Sequence, residues 1–155
     1  MAVPPHSERG STLLLFPAAL VIMLALAAIT VDSAIAFMAQ RQLTNATAAA
    51  ANDAATEALS DRAFYEGDRI ELSAAAVESV AVDRVFALVD PARHHGLSVT
   101  AEAFPPAAAG CSWTVRVRAS SRVDELFGKA IPGSSGQVAV HAQSTAAPRQ
   151  EVGIC

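Results

Sequence analysis

The side chains able to do chemistry are few and scattered along this chain. His94 and His95 are adjacent, and with Asp90 and His141 they supply metal-ligand types. Neighbouring residues in a helix or strand point apart, however, and no zinc-type ligand spacing accompanies them. Both read as surface loop histidines. Cys111 and His141 pair a nucleophile with a base in type alone, since neither stands in a recognisable elbow or oxyanion loop. Glu102, Asp124 and Glu125 do not make the spaced acid pair of a glycosidase. Gly133 to Gly136 reads as a turn rather than a phosphate-binding loop. These residues argue against an enzyme and against a metal or cofactor. The net charge of −4, with only Arg116 and Arg118 closely spaced as a basic pair, argues against nucleic acid as a partner. Asn45-Ala46-Thr47 matches a glycosylation sequon, but it falls in a helical stretch close to the apolar run described next and reads as coincidence.

What orders the chain is instead Leu13 to Val31, closed by Asp32: nineteen residues without a charge, with Thr30 the single polar side chain. At 1.5 Å per helical residue this run is about 28 Å long, close to the ~30 Å hydrocarbon core of a bilayer. Pro17 falls near the start, where a missing N–H is tolerated. A short polar tail, Met1 to Gly10, precedes the run with Arg9 at its edge, and the next basic residue is Arg41. That bias places the N-terminus in the cytoplasm and exports the larger C-terminal part. A cleaved secretory signal competes with this reading, because Ala34-Ile35-Ala36 resembles a cleavage site. Against it stands the length of the apolar run, since such signals carry about 7–15 apolar residues.

The helix is expected to continue past Asp32. Ser33 to Leu59 contains no Gly or Pro and is dense in helix formers. Ile35, Met38, Ala39, Leu43, Ala46, Ala50, Ala54 and Ala58 recur at three- and four-residue steps and form one stripe. Small side chains let another helix approach closely. That face can meet a neighbouring subunit, or it can pack on the protein's own domain; the sequence leaves both open.

After Ser60 the pattern changes. Tyr65 to Asp68 is a turn, Arg69 to Leu72 a short strand, and Ser73 to Val89 an amphipathic helix with Ser73 as N-cap and Pro91 beyond its end. Three strands follow. Gly96 to Phe104 turns Leu97, Val99, Ala101 and Ala103 to one face. Cys111 to Ala119 turns Trp113, Val115, Val117 and Ala119 inward, and Gln137 to Ala142 sets Val138, Val140 and Ala142 opposite Ala139 and His141. A short helical turn is expected over Val123 to Ala130. One-sided alternation implies an antiparallel sheet with one face on a helix. The expected fold is therefore α+β. A cytoplasmic tail (1–10) leads into a transmembrane helix (11–32) and an alanine-rich exported helix (33–60). A small extracytoplasmic α+β domain (61–147) follows, with its sheet packed on one or two helices, and then a C-terminal tail (148–155). If that side is oxidising, Cys111 and Cys155 can form a disulfide pinning the tail, worth ~3–4 kcal/mol by chain entropy; two unrelated thiols are the alternative.

Glu8-Arg9-Gly10-Ser11, the apolar run with Pro17-Ala18, Val31-Asp32, Gln40-Arg41-Gln42-Leu43 and the alanine-rich Ala48 to Ala58 follow one another in order. In this the chain resembles the TadE/TadG-like pseudopilins of the tight-adherence (Flp-type) pilus and secretion machinery, in their short actinobacterial form. The likeness covers roughly Glu8 to Leu59. It implies a bitopic subunit or accessory factor of the bacterial cytoplasmic membrane, with lipid and other pilus or secretion-system membrane proteins as partners. It also implies homo- or hetero-oligomers through the N-terminal helix. The family's processing glycine maps to Gly10, before Ser11, but the Glu expected five residues on is Leu15 here. Pro17, Asp32, Leu43, Ala46 and Ala50 are the expected packing residues. Asp32 can pair within the membrane or mark the outer water interface. The competing class is a membrane-tethered envelope binding or sensor module unrelated to pili, and a secreted enzyme is the weakest reading.

Overall fold

A computed structural model of the chain describes residues 11–59, 71–107 and 112–148. Without an internal glycine to loosen it, the first segment forms one unbroken helix, α1 (Ser11–Glu57), 47 residues long. That is about 70 Å at 1.5 Å per residue. Pro17 is the seventh residue of α1, near its start as expected, but inside the second turn. The helix carries it without ending, although the Leu13 carbonyl loses its usual N–H partner.

The two halves of α1 have different surroundings. From Leu15 to Val31 every side chain is exposed except Ala28, which is partly covered. The window averages 2.3 in hydropathy and none of it is buried. The core helix of a soluble domain would hide such a face; among the described residues there is one helix long and apolar enough to cross a membrane. From Ala39 onward the same helix is core: Ala39, Leu43, Ala46, Ala50 and Ala54 are buried, with Thr47, Ala51 and Ala55 beside them and Ala58 just past the helix end. Of the two readings of the alanine stripe, the structure takes the second, and the stripe packs on the protein's own domain. Leu43, Ala46 and Ala50 are thus core residues and leave no face for a neighbour. Thr47 is tolerated there because its hydroxyl donates to the Leu43 carbonyl at 2.7 Å.

The second helix, α2 (Ala74–Leu88), lies against this stripe through Val77, Ala81 and Val85. Ser73 caps it as expected, its Oγ accepting from the Ala76 N–H. At its other end the Gln42 side chain donates to the Leu88 carbonyl at 3.2 Å, satisfying one of the last-turn acceptors. Arg84 and Asp53 join the two helices in an ion pair at 2.6 Å. Of the strand expected over Arg69 to Leu72, the described end makes a single antiparallel bridge, Leu72 to Leu59.

The sheet is three-stranded and antiparallel in the order β1-β2-β3, with β1 (His95–Phe104), β2 (Thr114–Asp124) and β3 (Gln137–Ala146). Its inner face carries Val115, Val117, Ala119, Val123, Val140 and Ala142 in the core. Leu97, Val99, Ala101, Ala103 and Trp113 pack against that core half-buried. The outer face is polar, with Thr100, Arg118 and Gln143 in line across the strands and Arg118 donating to Gln143 and Glu102. These facings agree with the alternation in the sequence. Two lengths do not. β2 runs on from Ala119 to Asp124, and β3 from Ala142 to Ala146. Ser120-Ser121-Arg122 interrupts the apolar alternation, yet β2 is the central strand and ladder bonds on both sides carry it through. The helical turn expected over Val123 to Ala130 contracts to a 3-10 turn at Gly128–Ala130.

Candidate functional site

The expected chemical groups do not converge. His94 is not a surface histidine: it is buried, with its Nδ1 2.8 Å from Ser121 Oγ and its Nε2 without a hydrogen-bond partner among the described residues. Burial disfavours the imidazolium and holds its pKa below the ordinary value of 6.5; Asp90 opposes this, while Arg93 and His95 add to it. His95 lies instead at the exposed start of β1, its Nε2 3.6 Å from Asp124. Asp90 accepts from the Ala92 N–H at 2.9 Å in a local turn. His141 stands exposed on β3. Glu102 pairs with Arg118 at the far end of the sheet from Asp124. Among the described residues no group of three potential ligands could hold a metal ion. Asn45 is exposed, but Thr47 of the same sequon is buried. Gly10, Cys111 and Cys155 lie outside the described residues, and the disulfide reading with them. Ser11 begins α1.

What the structure does assemble is a joint where the apolar half of α1 meets the domain. Asp32, a partly exposed residue, accepts the backbone N–H groups of Leu126 at 2.8 Å and Phe127 at 3.1 Å. Its role in the fold is thus a link within the chain, at the end of the apolar run. One to two turns further along α1, Ile35 and Met38 line a cleft of about 340 Å³ with Arg93, His95, Val123 and Asp124. Higher still, Gln40 clasps the outer edge of β3. Its amide donates to the His141 carbonyl at 2.6 Å and accepts from the His141 N–H at 3.3 Å. A side chain thereby stands in for a fourth strand, which blunts an otherwise open edge.

The connection between β2 and β3 is folded tightly on itself. Glu125 N–H donates to the Gly136 carbonyl at 2.9 Å, and Ala130 N–H to the Phe127 carbonyl at 2.9 Å. Asp124 receives the Gln137 amide at 2.8 Å and Lys129 at 3.4 Å. The Gln137 bond first, and then Lys129, hold its carboxyl below the usual carboxylate range. Gly136 has φ +64°, and a Cβ there would stand 3.2 Å from Lys129 Cα. Leu126, Phe127 and Ile131 on this connection are exposed.

Asp32, Gln40 and the loop 125–136 make the site; the sequence marked Asp32 as a packing residue, but Gln40 only within the Gln40-Arg41-Gln42-Leu43 stretch and Gly133 to Gly136 only as a turn. Gln40 looks like any polar helix residue. His94 and Ser121 are 27 residues apart, with no local pattern to couple them. No family model, curated protein or solved structure matches the chain.

Proposed function

We propose that the chain is a single-pass subunit or accessory factor of a tight-adherence (Flp-type) pilus or secretion assembly. Its N-terminus lies in the cytoplasm and its α+β domain outside the bacterial cytoplasmic membrane. It works by association rather than catalysis. The observation that carries this reading is α1 itself, one helix whose lower half is uncharged, apolar but for Thr30, and exposed but for the partly covered Ala28, and whose upper half is the core of a small domain. A bitopic pseudopilin needs that division, and the resemblance over Glu8 to Leu59 supplies the family. Because the alanine stripe is spent on the domain, the surface left for helix partners is the lower half, around Pro17 and the small residues Ala18 and Ala25. Small residues let helix backbones approach closely in lipid, where packing rather than hydrophobicity drives association.

The test is photo-crosslinking in the native host from Leu20 and Ala25, both exposed on the lower half. Adducts with membrane proteins encoded beside a secretion ATPase are expected. Adducts with an unrelated receptor, or with lipid alone, would replace this reading with that of a tethered binding module.

A further inference from the structure

We propose that the β2–β3 connection, residues 125–136, is a second membrane contact, with Leu126, Phe127 and Ile131 inserted at the headgroup–acyl boundary beside α1. The proposal rests on the reading of α1 as the span, and the test below separates the two.

Three observations place the loop at that level. First, β2 runs down the helix. Ser120 pairs with His141, the residue that Gln40 holds; Val123 shares the cleft with Ile35 and Met38; Leu126 and Phe127 reach Asp32. Asp32 directly follows the apolar run, so the loop arrives where the hydrocarbon begins. Second, Ala28, one helical turn before Asp32 and on the same face, is the one partly covered side chain between Leu15 and Val31. Cover on this face therefore extends about 5.4 Å below the carboxylate. Third, the loop shows large apolar side chains where the domain has no partner for them: Leu126 is 64%, Phe127 43% and Ile131 60% exposed. A loop displaying such residues beside a polar, water-facing sheet would be unfavourable in solution, but suits an amphipathic interface.

The backbone also fits. Polar main-chain groups entering the edge of a bilayer must be paired. Here Leu126 and Phe127 donate to Asp32, Ala130 to Phe127, Ile131 to Gly128 and Ser134 to Ile131. The occupant is the bilayer boundary itself rather than an anionic lipid. Lys129, the only lysine, is offset by Asp124 at 3.4 Å and followed closely in sequence by no other cation. With two attachments, the span and the loop, the domain would hold a fixed tilt on the membrane instead of swivelling on α1.

The experiment uses the full chain with Trp113→Phe as background, reconstituted in phosphatidylcholine vesicles with and without brominated acyl chains. Single tryptophans are placed by Leu24→Trp, Phe127→Trp and Ile131→Trp, and in the parent chain Trp113 serves as the domain reference. A ring seated ~5–10 Å into the boundary is expected to lose roughly half its emission to the brominated lipid. Both loop positions should show this twofold loss, Leu24→Trp at least as much, and Trp113 little. Quenching of Leu24→Trp but of neither loop tryptophan would overturn the loop contact and leave the span standing. Lack of quenching at Leu24→Trp would overturn both. Two loop positions are used so that misfolding of one variant does not decide the result. Loop emission that shifts with protein-to-lipid ratio instead of bromination would assign the patch to a second copy, against the proposal.

Discussion

Replacing Asp32 with alanine is expected to free the β2–β3 connection from α1 while leaving the sheet intact. The wild-type carboxylate accepts two backbone bonds, from Leu126 at 2.8 Å and Phe127 at 3.1 Å. A hydrogen bond to a charged group contributes about 1.5–3 kcal/mol when buried. Asp32 is partly exposed, so water screens the pair, and about 1.5–3 kcal/mol for both together is the reasonable scale. At about 1.4 kcal/mol per factor of ten, amide exchange at Leu126 and Phe127 should accelerate roughly ten- to hundredfold. Asp32→Asn retains an acceptor for both amides, but neutral bonds are about half as strong, so it should fall between. The assay is hydrogen–deuterium exchange of the full chain in lipid nanodiscs, with Val117 in the sheet as internal reference. The reasoning fails if Asp32→Ala leaves both amides at the wild-type rate. It fails equally if Val117 accelerates in step with them, because the change would then be global.

Ala50 is wholly buried, so Ala50→Leu overpacks the helix interface and should destabilise the domain by about 1–3 kcal/mol. A lowered urea midpoint would show this, against an unchanged midpoint for Asn52→Leu on the exposed side of α1. Burial holds the pKa of His94 below its ordinary 6.5. As pH falls from about 6.5 toward the lower folded value, the unfolded chain binds a proton that the folded chain resists, and stability declines; above 6.5 it is flat with respect to this group. His94→Phe should abolish that decline, as urea titrations at about pH 5 and 7.5 would reveal. Gly136→Ala puts a side chain at φ +64° against Lys129, a left-handed conformation costing roughly 1–2 kcal/mol. Faster exchange of the Glu125 N–H, which bonds to the Gly136 carbonyl, is the expected sign.

The sequence carried the fold where burial imposes a period. Leu97-Val99-Ala101-Ala103 and Val115-Val117-Ala119 alternate because one sheet face is core. The stripe from Ala39 to Ala58 repeats at helical steps because one helix face is. Strand ends were less visible. Ser120-Ser121-Arg122 has no apolar alternation, and it stays extended because β1 and β3 pair with it from both sides, which no local window reports. The destination of the alanine stripe was equally hidden, since close packing on one's own domain and on a neighbour demand the same small residues. Asp32 stood out by its place at the end of the apolar run, but its partners are backbone amides more than ninety residues away. Gln40 at His141 and His94 at Ser121 are pairings of the same tertiary kind.

The most direct test of a helix that both spans the membrane and forms the domain core is the intact mass of the native protein, measured in membrane and soluble fractions. A mass that retains Leu13 to Val31, confined to membranes, is expected. A soluble chain beginning near Phe37, cut after Ala36, would contradict the anchored protein, because the span and the Asp32 link to the domain would both be gone.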